Sequence, residues 1–203
     1  MKNHQISLSL LCCLSCILFL SGCGIFSLHP LYNPQDLLMK SEIIGSWQDR
    51  SDENIHITIA YLDEKFYRFT MIEKGDTMHF KMGLMKLDGQ YFIDLYPNDE
   101  CGVFGNDSSC EWFENMFKNY IPVHTFMKLE FAGEEIALTG FDNERLIKLF
   151  HENKIRLAHE IPNREDEDGY VVITASTDDL QKFISRYAND AEAFDETTTY
   201  HRL

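Results

Sequence analysis

The chain has 203 residues, with 18 Lys and Arg against 33 Asp and Glu, giving a formal charge of -15. Hydrophobic residues make up 44% and charged ones 25%, ordinary globular usage that excludes global disorder and suffices for one core of single-domain size. A surface this acidic repels phosphate backbones, which argues against nucleic acid and for a basic, neutral or apolar partner.

The amino-terminal segment reads as an export signal. Lys2 and His4 supply a short polar start, Ile6 to Leu20 is an apolar run broken only by small residues, and Ser21, Gly22 and Cys23 follow. The run Leu20, Ser21, Gly22, Cys23 resembles the bacterial lipobox. That resemblance implies removal of residues 1–22 and attachment of diacylglyceryl to the Cys23 thiol, whose thiolate is the nucleophile for thioether formation. Two or three acyl chains hold a protein on a bilayer essentially permanently, at about 0.8 kcal/mol per buried methylene. An uncleaved transmembrane helix is the alternative, with the apolar count carried on through Ile25, Phe26 and Leu28; Gly22 and Gly24 weigh against it. Gly24, rather than an aspartate, follows the cysteine, which the resemblance links to the outer membrane and its periplasmic face.

Residues 23–42 hold Pro30 and Pro34 with little periodicity and are expected to form a lipidated tether. A single β-rich domain is expected over residues 43–190. Strands are predicted at Ile44 to Gln48, Ile55 to Tyr61, Phe66 to Glu73, Met78 to Leu87 and Tyr91 to Tyr96, all rich in branched and aromatic residues. Within the second, Ile55, Ile57, Ile59 and Tyr61 share one face while His56 and Thr58 take the other. Turns are predicted at Ser51 to Asn54, at Lys74, Gly75 and Asp76, and at Asp88 and Gly89.

Cys12, Cys13 and Cys16 would leave with the signal and Cys23 would be lipidated, so Cys101 and Cys110 remain as an even pair in an oxidising compartment. They read as a disulfide closing a short loop that contains Gly102, Gly105, Asn106 and Asp107, worth roughly 2.5 to 3 kcal/mol in the chain-entropy view. Ser108 with Glu111 forms a capping box before a helix carrying Trp112, Phe113, Met116, Phe117 and Tyr120. Two more strands are predicted at Val123 to Phe131 and Glu135 to Thr139, joined through Ala132 and Gly133. Asp142 can cap a second helix carrying Leu146, Ile147 and Phe150, and Tyr170 to Thr174 reads as a late strand. Ser176 with Asp179 opens a third helix, with Leu180, Phe183, Ile184 and Tyr187 at i, i+3, i+4 and i+7. Residues 191–203 lack periodicity and are expected to be an acidic flexible tail.

Gly45, Ser46 and Trp47 ahead of this meander are similar to the G-x-W signature that opens lipocalin-like barrels. The expected fold is therefore mainly β within the α+β class: an antiparallel lipocalin-like meander or barrel with about three peripheral helices. A second likeness covers more of the chain. His29 to Tyr32, Asp94 to Pro97, Pro122 to Phe126, Leu157 to Glu160 and Thr174 to Leu180 resemble a group of bacterial lipoproteins with no assigned activity, which implies a shared fold and location and transfers no catalytic residue.

Asp94 and His124 each interrupt an otherwise aromatic or aliphatic strand, and Arg68 occupies a comparable position on a neighbouring one. If their face lines a barrel interior, they are polar anchors for a ligand; if the sheet has one wet side, they face solvent. His151 with Glu152 and His159 with Glu160 repeat a His-Glu pair, yet neither continues to a second histidine at i+4, so no metal and no cofactor is expected. Nucleophile elbows and phosphate-binding glycine loops are missing from the sequence. The expectation is a membrane-anchored envelope lipoprotein, noncatalytic, binding an apolar or amphiphilic ligand. The alternative is a protein-binding adaptor in an envelope assembly; an enzyme ranks third.

Overall fold

The computed structural model describes residues 26–97, 121–161 and 170–203. The export signal, Cys23, the Cys101 and Cys110 pair and the helix expected from Ser108 lie outside the described residues.

The strands are β1 (Phe26–Ser27), β2 (Gly45–Asp49), β3 (Ile55–Tyr61), β4 (Tyr67–Glu73), β5 (Asp76–Leu87), β6 (Gln90–Pro97), β7 (His124–Ala132), β8 (Glu135–Phe141), β9 (His159–Glu160), β10 (Val172–Ile173) and β11 (Phe194–Arg202). The helices are α1 (Asn143–His151) and α2 (Thr177–Tyr187). Strands β2 to β8 each pair antiparallel with the next, β11 joins β8 to β2, and the β6–β7 pairing completes the ring. The result is a closed eight-stranded antiparallel barrel without free edges, the arrangement that best removes the hazard of an unpaired strand.

Local chemistry sets the register. Glu73 pairs with Asp76 and Leu87 with Gln90, leaving two-residue turns at Lys74, Gly75 and at Asp88, Gly89. All four residues have positive φ, between 44° and 94°, which matches the right-handed twist of the flanking strands and explains the glycines. Both helices start where the sequence places their caps: the Asp142 side chain accepts from the Arg145 N–H, and the Ser176 hydroxyl from the Asp179 N–H. Among the described residues there are two α-helices against about three expected, and none is long and apolar enough to cross a membrane.

Two expectations are corrected. Residues 194–202 are not a flexible tail: the threonine-rich run Thr197 to Tyr200 is β-branched enough to form β11, and its pairing with β2 and β8 closes the barrel. Nor do residues 26–42 form a free tether. β1 inserts beside β7, and the chain then runs as a strap across the outside of the barrel, with the Leu31 side chain wholly buried. The strap ends in a 3-10 turn, Ser41–Ile43, whose Ile43 plugs the barrel's lower end. The late strand expected at Tyr170 to Thr174 shrinks to Val172–Ile173, which joins β1 and β9 in a side sheet.

Two cores result. Inside the barrel, Trp47, Ile57, Tyr67, Met82, Leu84 and Ile93 interdigitate. Outside it, Met85, Phe92, Phe126 and Phe141 on β5 to β8 are covered by Leu146 and Phe150 of α1, Leu180 and Ile184 of α2, and Ile173 of the side sheet. The outer face of β2 to β4, by contrast, carries Ser46, His56, Thr58 and Arg68 in partial or full contact with solvent.

Candidate functional site

Asp94 and His124 lie on neighbouring strands, and since Asp94 pairs with Phe126, His124 sits two residues along on the same face. That face is the outer one, opposite to Ile93 and Leu95, which point into the barrel. Neither earlier placement holds: the two residues do not line the interior, and they do not face solvent. The Asp94 side chain is 0% exposed and that of His124 10%, beneath the strap. His124 Nδ1 and Asp94 Oδ1 are 2.7 Å apart, and Asp94 Oδ2 accepts the Leu31 N–H at 2.7 Å. Arg68 stands apart, exposed on the wet face of β4.

Aromatic rings enclose the pair. The Tyr96 ring lies 4.5 Å from the imidazole and the Tyr32 ring meets it edge-on at 6.5 Å. Tyr32 in turn packs edge-on against Phe66 at 5.4 Å, and Lys81 sits 3.8 Å over that Phe66 ring. Burial pushes the Asp94 carboxyl above the usual carboxylate range, opposed by its bond to His124 and by the Leu31 N–H. Burial, with the nearby Asp94 and Tyr96, pushes the Tyr32 hydroxyl up to about 12.

Chemically, a carboxylate bonded to Nδ1 fixes the orientation of the imidazole and turns Nε2 away from itself. Here the carboxylate's second oxygen is taken by backbone, so Asp94 is fully engaged in joining three elements: β6, β7 and the strap. The strap is stitched further by the Thr177 hydroxyl to Pro30 O at 2.8 Å, Gln181 Nε2 to Leu31 O at 2.9 Å, and Leu38 N–H to Leu84 O at 2.8 Å. The Thr174 and Ala175 N–H groups both donate to Ala158 O. Five separated segments, those around His29, Asp94, His124, Ala158 and Thr177, therefore converge on this one place. The arrangement acts as a latch that locks the strap over β5 and β6. Among the described residues no group of three or more His, Cys, Asp or Glu side chains could hold a metal ion.

The barrel interior offers a second region. Its middle is filled: Trp47, Ile57, Tyr67, Met82 and Leu84 have no solvent-accessible surface, so no cavity that admits water touches them. Its lower end is sealed by Ile43, by the Trp47 indole N–H bonded to Ile43 O at 3.1 Å, and by Arg202, stacked on the Trp47 ring. At the upper end, bounded by the β2–β3 loop and the β4–β5 turn, the inward residues Ile55, Met71, Met78 and Phe80 are only half-buried. The inner face continues beyond the rim, because Leu95 pairs with Thr125, Thr125 with Phe26 and Phe26 with Val172, all on one side of the sheet.

Arg202, Tyr67, Thr177 and Gln181 were not singled out from sequence, although they hold the lower end and the strap. The Thr197 to Tyr200 run was the available signal for the strand that carries Arg202.

Fold and sites together define a closed eight-stranded antiparallel barrel with a plugged lower end, an apolar upper rim and a latched external strap. No protein-family model, curated protein or solved structure matches the chain.

Proposed function

We propose that this chain is a lipid-anchored envelope protein that binds an apolar or amphiphilic small molecule without transforming it, at the upper mouth of a lipocalin-like barrel. The observation that carries the reading is the asymmetry of the barrel: plugged below by Ile43, Trp47 and Arg202, and rimmed above by half-buried Ile55, Met71, Met78 and Phe80. Apolar residues left partly in water around a concave end are what a ligand with an apolar part covers. The lipobox at Leu20 to Cys23 supports anchoring through an acylated Cys23, and Gly24 supports the periplasmic face of the outer membrane. With a filled middle, the site is shallow, so the ligand inserts a short apolar portion and leaves its polar end outside.

Titration of the mature protein with a fluorescent fatty-acid analogue tests this. Wild type should bind, and Met71→Asp and Phe80→Asp should each weaken binding about tenfold or more, the effect of one charge placed in an apolar contact. Absence of binding by wild type, together with bare protein in native mass spectrometry, would sink the small-molecule reading. The filled middle of the barrel, with Met82 and Leu84 wholly inaccessible, favours the second reading, an adaptor that binds an envelope protein. Crosslinking in the intact envelope then identifies the partner.

A further inference from the structure

We infer that the side sheet rests directly on the lipid surface, with the face carrying Phe26, Leu28, Tyr170 and Val172 against the bilayer, so that the barrel lies on the membrane and is not held away from it. The inference rests on lipid attachment at Cys23. Three peptide units separate Cys23 from Phe26, and fully extended they span at most about 10 Å. That is little more than the headgroup layer on one side of a bilayer, roughly 5 to 8 Å. From Phe26 onward there is no slack. Phe26 pairs with Thr125 on one side and Val172 on the other, Ser27 is wholly buried, and the Leu28 N–H donates to Ile173 O at 2.9 Å. A lipid on Cys23 therefore brings β1 and its neighbours to the membrane surface.

What β1 presents there is apolar. Strand alternation turns Ser27 and Ile173 toward the outer, helix-covered core and leaves Phe26 and Val172 on the opposite side. Leu28 is 40% exposed and Tyr170 52%, and Phe26 and Tyr170 meet edge to face with centroids 6.0 Å apart. Tyrosine suits this level of a bilayer, where its ring meets acyl chains and its hydroxyl meets water. Glu160, paired with Val172, bounds the face at the outer strand of the side sheet and marks where the contact gives way to solvent. The same face is continuous with the barrel's inner surface through Thr125.

The test uses the acylated chain purified from its own envelope and reconstituted into phosphatidylcholine vesicles, with Tyr170→Trp as a depth probe and Leu28→Trp as a second. Lipids brominated near the headgroup end of the acyl chain should quench the added tryptophan about twofold, read as the emission of each variant minus that of wild type, which has its own Trp47 and Trp112. If the protein floats with the vesicles and mass spectrometry finds diacylglyceryl on Cys23, yet both added tryptophans emit equally with and without bromine, the barrel stands off the membrane and the inference fails while anchoring survives. A Cys23 without lipid removes the anchoring reading and the inference together.

Discussion

The guanidinium of Arg202 lies 4.0 Å over the Trp47 ring, while its Nη1 donates to Ile44 O at 2.7 Å and its Nη2 to Glu42 O at 2.8 Å. One side chain near the carboxyl terminus thus covers the indole and ties down the 3-10 turn that plugs the barrel. Arg202→Ala should destabilise by about 2 to 4 kcal/mol, the loss of a cation–π contact and two charge-assisted bonds. Arg202→Lys should lose about half of that, since an ammonium cannot reach both carbonyls in a fixed fork. Urea midpoints measure both, and an Arg202→Ala midpoint unchanged from wild type would show that the contact is idle.

Deleting residues 194–203 should prevent barrel closure. β2 and β8 would become open edges with Trp47 and Leu138 uncovered, so far-ultraviolet circular dichroism and solubility should both collapse. A dispensable tail would instead leave the spectrum intact.

Gly83 faces the strap on the outside of β5. A Cβ there would stand 3.0 Å from both Leu37 Cδ2 and Tyr32 Cδ1 and 3.1 Å from Tyr32 Cε1. Gly83→Ala should cost about 1 to 3 kcal/mol as the strap is pushed outward. Because burial is the main reason the Tyr32 hydroxyl is held at about 12, its ionisation should also move down toward the ordinary tyrosine range. A spectrophotometric titration referenced to Tyr32→Phe reads this directly; an unmoved Tyr32 would mean that the strap does not yield.

Asp94 carries a pH signature. Burial raises its folded-state pKa, whereas the unfolded chain releases the same proton near about pH 3.9. Between those points the folded state binds more protons, so the contribution to stability is complete below the unfolded value and is lost as pH rises through the folded one. Asp94→Asn, which keeps an acceptor for the Leu31 N–H but cannot titrate, should show no such loss. The stability of wild type relative to Asp94→Asn should therefore fall in urea denaturation as pH is raised from about 4, the unfolded-chain value. A difference that stays constant or grows as pH rises would contradict the assignment.

Legibility followed the range of the interaction. Ile57, Ile59 and Tyr61 alternate with His56 and Thr58, and the strand they predict is found at the same residues because a pleat repeats every two positions whatever surrounds it. The caps at Asp142 and Ser176 were legible for the same reason, their partners lying three residues on. Asp94 and His124 stood out as polar residues in apolar strands, but the face they occupy was not legible. Alternation shows that a strand has two sides and leaves open which is inside, and here both sides of β6 are apolar because helices cover the outer one.

The sequence by itself determined the chain's acidic charge, most of its strands, its tight turns and its helix starts, since each depends on residues within a few positions of one another. Only the tertiary structure decided that Leu31 bonds Asp94 across 63 residues, that Arg202 reaches Glu42 across 160, and that an apparent tether and an apparent tail are the strap and the closing strand of a barrel. Those segments have weak local patterns of their own. Ring closure gives them structure, because backbone donors and acceptors on β2 and β8 need partners and the buried Asp94 carboxylate needs a donor, and no local sequence signal records which distant segment supplies them.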